Sequence, residues 1–204
     1  MNNRDNDTPE KQIRAFYTKD FIRVYQAYSD EIADSAISNK TFISPPFSMT
    51  RMTWIKPSFL WMMYRSGWGL KDPGQKRILA IDITHHGFKK IIKEGILSNH
   101  HETVFSSKKE KWQEEIKNTN IIIQWDPERD IHLNKLNYRT IQIGLRNQAV
   151  IDYCKEWIID IQDATTLTKE IYSLISKGQI QKAEELLPHE RVYDLKYPLW
   201  KSTQ

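Results

Sequence analysis

The chain has 204 residues, of which 39% are hydrophobic and 27% charged, and its formal net charge is +4 at pH 7. This length and composition predict one folded domain and exclude a disordered chain. The single cysteine, Cys154, excludes an intrachain disulfide framework and a cysteine-clustered metal site. No apolar run approaches the roughly 20 residues that span a bilayer, and the polar N-terminus lacks the apolar core of a secretory signal. The sequence therefore predicts a cytoplasmic protein with no membrane partner.

The first half of the chain predicts one strand and two helices after a short tail. Residues 1–12 are polar and lack periodicity, which predicts a disordered tail. The run FIRVYQAY predicts a strand over residues 21–28 with polar side chains on both faces. A short helix over 31–38 follows, and residues 41–53, which contain two adjacent prolines, predict an ordered loop. Residues 58–65 are apolar all round, which is typical of a helix buried on most sides.

Residues 77–187 predict four more strands and three helices. The runs RILAIDI and NIIIQW predict strands over 77–83 and 120–125, and RTIQIGL alternates cleanly over 139–145. A further helix runs into a last strand over 157–161. Residues 166–187 predict two helices that turn at a glycine.

These elements together predict an α+β fold in a single domain. The domain covers residues 13–197, with a mixed, mainly antiparallel sheet of about five strands and a C-terminal helical hairpin, and residues 198–204 form a tail. The second helix of the hairpin carries Glu184 and Glu185 with Lys182 as its one cation, so it would repel DNA phosphates.

The stretch 35–71 contains no Asp or Glu, while it is rich in cations and aromatic rings. Within it, Lys56, Pro57 and Ser58 place a cation, a hydroxyl and free N–H groups at one helix start, as in many phosphate sites. The candidate anion-binding residues are Arg51, Lys56, Ser58 and Arg65. The alternative, which stays open, is that Ser58 only caps a core helix and that Arg65 extends to water.

The segment QWDPER follows an apolar strand and offers two carboxylates at a strand end. Asp126 and Glu128 are therefore candidates for orienting a hydroxyl or offsetting a developing positive charge. The alternative is an Asp-Pro turn with a local ion pair to Arg129.

Two strands carry side chains suited to a ligand with polar and flat aromatic parts. Arg23, Tyr25 and Gln26 supply a guanidinium, a phenol and an amide, and Gln142 on a later strand supplies a second amide. Structural hydrogen bonding of these side chains is the alternative, and a pocket shared by Gln26 and Gln142 would favour the ligand.

Several other chemistries are excluded by the spacing of residue types. The six histidines include no HExxH or His-x-His pattern, so no metal site is predicted. The chain has no GxGxxG, P-loop or GxSxG motif, which excludes Rossmann dehydrogenases, P-loop kinases and α/β-hydrolases.

Four blocks of the sequence resemble a known family. VYQAY at 24–28, RMTWIKPSFLWMMYRSGW at 51–68, QWDPER at 124–129 and IQIGL at 141–145 resemble the signature blocks of the family called Domain of Unknown Function 4291. The resemblance runs from about residue 13 to 197. It implies a single-domain intracellular protein and supplies no substrate.

The order of elements in the N-terminal half also resembles that of ADP-ribosyltransferase-type domains, which split NAD between ribose and nicotinamide. The resemblance implies three roles: holding the carboxamide, binding the pyrophosphate, and stabilising an oxocarbenium-like ribose. The residues implied for these roles are Arg23, Tyr25 and Gln26; Arg51, Lys56, Ser58 and Arg65; and Glu128, with Asp126 and Gln142 as further catalytic candidates. The sequence departs from the class in lacking its His-Gly-Thr and Ser-Thr-Ser motifs and its Gln-x-Glu or Glu-x-Glu turn.

The leading hypothesis is thus an NAD- or nucleotide-binding enzyme that transfers ADP-ribose to an acceptor, with NAD as substrate and no metal. A module that binds RNA or another phosphorylated partner without catalysis is the first alternative. A protein-interaction domain is the second. Buried Trp54, Trp61 and Trp68, with the three cations of the stretch converging on a cleft with Glu128, would favour the enzyme, and an open aromatic and basic face would favour nucleic acid.

Overall fold

The computed structural model describes residues 10–99 and 109–195. Residues 1–9 of the predicted N-terminal tail, and all of the predicted tail at 198–204, lie outside the described residues. Residues 10–12 form main-chain hydrogen bonds with Arg139: its N–H donates to the carbonyl of Glu10, and its carbonyl accepts from Gln12.

The described residues form nine strands and seven α-helices. The strands are β1 (Arg14–Ala15), β2 (Phe21–Tyr28), β3 (Thr53–Ile55), β4 (Arg77–Thr84), β5 (Ile96–Leu97), β6 (Ile121–Arg129), β7 (Lys135–Leu145), β8 (Ile158–Asp163) and β9 (Arg191–Val192). The helices are α1 (Asp30–Asn39), α2 (Phe59–Ser66), α3 (His85–Glu94), α4 (Lys109–Asn118), α5 (Gln148–Asp152), α6 (Thr165–Ser176) and α7 (Ile180–Glu185).

The two larger sheets are joined at one point, which is called the joint below. The first has the order β2-β4-β8 and is antiparallel, and the second has the order β3-β7-β6-β5 with one parallel pair, β5 and β6. Lys56, directly after β3, pairs with Tyr25 of β2: the Tyr25 N–H donates to the Lys56 carbonyl over 2.7 Å, and the Lys56 N–H donates back over 3.2 Å. This reciprocal pair holds Lys56 at the point where the sheets meet.

Most aromatic side chains of the acid-free stretch 35–71 belong to the core. Phe42, Phe47 and Phe59 are buried, and so are Trp61 and Trp68. Trp54 is half-buried and Tyr64 is exposed. The stretch therefore builds the interior more than an open aromatic surface.

The predicted α+β class, the mainly antiparallel pairing and the C-terminal helical hairpin are confirmed. The prediction of one sheet with about five strands is wrong, because the described residues form three sheets, the third being the pair β1-β9. They also contain four strands of two or three residues that the sequence did not predict, β1, β3, β5 and β9. Such short strands have too few residues to show a period, and distant partners fix them. None of the helices in the described ranges is long and apolar enough to cross a membrane.

The alternative of an Asp-Pro turn after residue 125 is wrong, because β6 continues to Arg129. Pro127 fits inside the strand because the register with β7 shifts between Pro127 and Arg129. Such an irregularity is one of the few places where a strand accepts a residue without an N–H.

Candidate anion-binding pocket

A pocket of about 660 Å³ lies beside the joint of the two larger sheets. Its walls come from the end of β2, the segment 46–54, helix α2 and the turn at 72–75, with Gln142 of β7 on one side. This volume lies within the range of roughly 300–1,000 Å³ that is usual for small-molecule sites.

Three predicted cations line this pocket: Arg51, Lys56 and Arg65. Lys56 is buried, and its Nζ donates one hydrogen bond, to the Trp54 carbonyl at 3.3 Å. Across residues 10–99 and 109–195, none of the three side chains forms an ion pair with a carboxylate. The pocket therefore carries positive charges that have no carboxylate of the described residues within ion-pair distance.

The surroundings of Lys56 lower its pKa. Burial and, secondly, the charge of Arg65 lower the pKa of its ammonium from 10.5 to about 7, and the carboxylate of Asp126 partly opposes them. An anion in direct contact with the Lys56 ammonium would raise this pKa again.

Gln26 lies in the pocket wall as part of a closed hydrogen-bond network. Its Nε2 donates to Thr53 Oγ1 at 2.6 Å and to the Tyr28 hydroxyl at 2.8 Å, while its Oε1 accepts from the Tyr153 hydroxyl at 2.9 Å. Both amide hydrogens of Gln26 are used in this network, so Gln26 holds the pocket wall in place. Gln26 therefore forms structural hydrogen bonds and lines the pocket as well.

Gln142 also lines the pocket and connects it to Asp126. Its Nε2 donates to Asp126 Oδ2 at 2.9 Å, and Gln124 Nε2 donates to Asp126 Oδ1 at 3.0 Å. Gln26 and Gln142 thus share one pocket, which is the arrangement that favours a ligand. Asp126 does not itself line the pocket, but it contacts Gln142 and is close enough to influence Lys56 electrostatically.

Two predicted residues of β2 have partners away from the pocket. Arg23 forms a two-pronged ion pair with Asp82, with Nε at 2.7 Å and Nη2 at 2.8 Å from the carboxylate oxygens. The Tyr25 ring packs edge-on against Phe59, and its buried hydroxyl has no hydrogen-bond partner among the residues described. Neither residue lines the pocket.

Ser58 and Glu128 meet each other, but neither lines the pocket. Ser58 caps α2 by accepting from the Trp61 N–H at 3.1 Å, and its hydroxyl donates to Glu128 Oε1 at 2.9 Å. The same Oε1 accepts from the N–H of Arg129 at 2.8 Å. Burial raises the pKa of Glu128, although these hydrogen bonds partly oppose the effect.

Glu190 is a further carboxylate at the start of α2 that the sequence analysis did not select. Its Oε1 accepts from the Phe59 N–H at 2.7 Å. Burial, and secondly the nearby Glu128, raise the pKa of Glu190 well above its ordinary value. No sequence pattern connects Glu190 to a helix that begins 131 residues earlier.

The turn at 72–75 adds a carboxylate and an amide to the pocket lining, from Asp72 and Gln75, which are not among the site residues predicted from the sequence. Asp72 Oδ1 accepts from the Gly74 N–H at 2.8 Å, and Asp72 Oδ2 accepts from Gln75 Nε2 at 3.2 Å. The sequence Asp-Pro-Gly is a turn signal, but a turn signal does not reveal which pocket the turn borders. Residues 10–99 and 109–195 contain no group of three or more His, Cys, Asp or Glu side chains able to hold a metal.

The chain belongs to the family described as Domain of unknown function (DUF4291), whose model matches residues 12–193. The resemblance seen in the four sequence blocks is thereby confirmed. A search of curated proteins found no match.

Proposed function

We propose that this protein binds a phosphorylated ligand of nucleotide size in the pocket, and that NAD is the first candidate. The observation that carries the proposal is the convergence of Arg51, Lys56 and Arg65 on one pocket without a carboxylate partner within ion-pair distance in the described chain. Guanidinium and ammonium groups in such a setting bind phosphate oxygens through charge-assisted hydrogen bonds.

The remaining walls suit the other parts of a nucleotide. Phe47, Met52 and Trp54 provide apolar and aromatic surface, while Ser48 and Gln142 provide polar groups. A base or nicotinamide ring can pack against the former while ribose hydroxyls bond to the latter. The resemblance to ADP-ribosyltransferase-type domains is the reason for choosing NAD among nucleotides.

Cleavage of NAD at the nicotinamide–ribose bond would need a carboxylate near the ribose, where positive charge develops. Asp126 is better placed for this role than Glu128, because Gln142 connects Asp126 to the pocket. Glu128 instead accepts hydrogen bonds from Ser58 and the Arg129 N–H. We therefore propose Asp126, oriented by Gln142, as the group that stabilises the ribose cation.

The RNA-binding alternative is less well supported. Binding a single strand by stacking needs exposed rings beside the cations, whereas most rings of the stretch 35–71 are buried. A cleft for one small ligand fits this distribution better than a track for a polymer.

Isothermal calorimetry with NAD, ADP-ribose, ATP and a short single-stranded RNA tests the proposal. We expect NAD or ADP-ribose to bind, and Arg51→Ala and Arg65→Ala each to weaken binding by about 10- to 150-fold, the range for a lost hydrogen bond to a charged group. Lys71→Ala, an exposed lysine outside the pocket lining, is the matched control and should leave affinity unchanged. Unchanged affinity in both arginine variants, or binding of RNA alone, would refute the proposal.

A nicotinamide-release assay tests the catalytic part separately. We expect Asp126→Asn to lower turnover far more than NAD affinity, and Glu128→Gln to retain turnover in molecules that remain folded. Lost turnover in Glu128→Gln with an active Asp126→Asn would assign the step to Glu128. No release from NAD by the wild type would limit the protein to binding.

A further inference from the structure

Lys56 is the one lysine in the described ranges that is buried. It nevertheless lines the pocket, so a bound molecule can reach it. Its Nζ has one hydrogen bond, to the Trp54 carbonyl at 3.3 Å, and no ion pair with a described carboxylate.

The same burial alters the chemistry of the amine. With a pKa of about 7, a substantial fraction of Lys56 is neutral near neutral pH, whereas a lysine with an ordinary pKa remains almost fully charged. A neutral amine in a desolvated pocket is the form in which lysine attacks carbonyl carbon.

The neighbours of Lys56 provide two further requirements of such a reaction. Arg51 and Arg65 line the same pocket and can hold a phosphate on the carbonyl compound that Lys56 attacks. Asp126 is close enough to influence Lys56 electrostatically, so its carboxylate can offset positive charge that develops on the nitrogen.

We propose that Lys56 forms an imine with a phosphorylated aldehyde or reducing sugar whose phosphate is held by Arg51 and Arg65. The lone pair of Nζ forms the C–N bond while the carbonyl oxygen takes a proton, and the nitrogen loses one to give a carbinolamine. The carbinolamine hydroxyl takes a proton and leaves as water, which breaks the C–O bond and leaves a protonated imine; the imine nitrogen then gives up this proton. Carbonyl compound and amine therefore yield imine and water, with no oxidant or reductant. The inference rests on the proposed anion pocket: NAD itself has no aldehyde, whereas ADP-ribose, the product of its cleavage, is a reducing sugar that bears phosphate.

Trapping with borohydride tests the inference, with pyridoxal 5′-phosphate as the phosphorylated aldehyde and pyridoxal as its matched control without phosphate. After reduction, peptide mapping by mass spectrometry identifies the labelled lysine in the wild-type chain. We expect Lys56 to be labelled at least tenfold faster than Lys71, and at least tenfold faster by pyridoxal 5′-phosphate than by pyridoxal. Labelling spread evenly over exposed lysines, with Lys56 unmodified, would overturn the inference.

Variants identify the contribution of each group. Lys56→Arg should abolish the fast labelling, Lys71→Arg should retain it, and Arg65→Ala should slow it by about tenfold. Because peptide mapping uses the wild type, the result does not depend on whether Lys56→Arg folds. Unmodified Lys56 in a protein that still binds NAD or ADP-ribose overturns the imine alone, whereas unmodified Lys56 without any anion binding overturns the proposed function as well.

Discussion

Replacing Lys56 by methionine should stabilise the protein, and the gain should depend on pH. In the folded protein burial lowers the pKa of Lys56 from 10.5 to about 7. The unfolded chain therefore binds more protons than the folded chain between these two values, and stability rises with pH wherever this holds. The wild type should thus recover stability above pH 7, while Lys56→Met has no such group to titrate.

The magnitude follows from the two pKa values. The difference between 10.5 and about 7 corresponds to at most about 5 kcal/mol of lost stability below pH 7. Above pH 7 the advantage of Lys56→Met should shrink by nearly 1.4 kcal/mol per pH unit, which is about 2 kcal/mol between about pH 7.5 and 9. Methionine keeps a similar length and is apolar, so it fills the same space without the charge.

Urea unfolding of the wild type and Lys56→Met across this pH interval measures the effect. Other titrating groups are present in both proteins and largely cancel in the difference. Lys71→Met, at an exposed site, should show no pH-dependent difference from the wild type. Parallel stability curves for the wild type and Lys56→Met would show that Lys56 keeps an ordinary pKa and would refute the reasoning.

Three further substitutions test other parts of the molecule by urea unfolding. Glu190→Gln should stabilise the protein at pH 7, because burial raises the pKa of Glu190 and so makes its charged form unfavourable in the folded protein. This gain in stability should disappear as the pH falls below about 4.5, and a gain that persists in acid would contradict the reasoning. Tyr153→Phe should destabilise by about 1–3 kcal/mol, since it leaves the buried Oε1 of Gln26 without its donor; no loss would mean that another donor replaces it. Gly87→Ala should destabilise by about 1–3 kcal/mol, because the added Cβ would lie 2.4 Å from Trp157 Cγ; wild-type stability would show that the indole moves freely.

Elements with strong local signals are the ones that the sequence predicts well. The strand predicted over 21–28 is confirmed at both ends as β2, because its β-branched and aromatic residues favour an extended chain. The helix predicted over 58–65 is confirmed with a shift of one residue: α2 begins at Phe59 with Ser58 as its cap. A helix cap is a side-chain hydrogen bond to an N–H two or three residues later, so such a boundary can be predicted from the local sequence.

Local sequence signals predict the residues of the pocket only in part. Arg51, Lys56 and Arg65 were predicted together because all three lie in one acid-free stretch, and the structure brings them to one pocket. Ser58 and Glu128, also predicted as site residues, meet instead at the start of α2. Their separation from the pocket depends on which way each side chain points from α2 and β6, and composition carries no such information.

The sequence by itself determined the α+β class, the single domain, the family and the positive stretch, because these follow from composition, periodicity and local motifs. Only the tertiary structure decided that Lys56 is buried at the joint of two sheets, that Gln142 connects Asp126 to its pocket, and that Glu190 caps α2. The physical reason is that burial and charge partnership depend on contacts between segments far apart in the chain. Those contacts change the charge and reactivity of a side chain, but the residues next to it in the sequence show no pattern that reveals them.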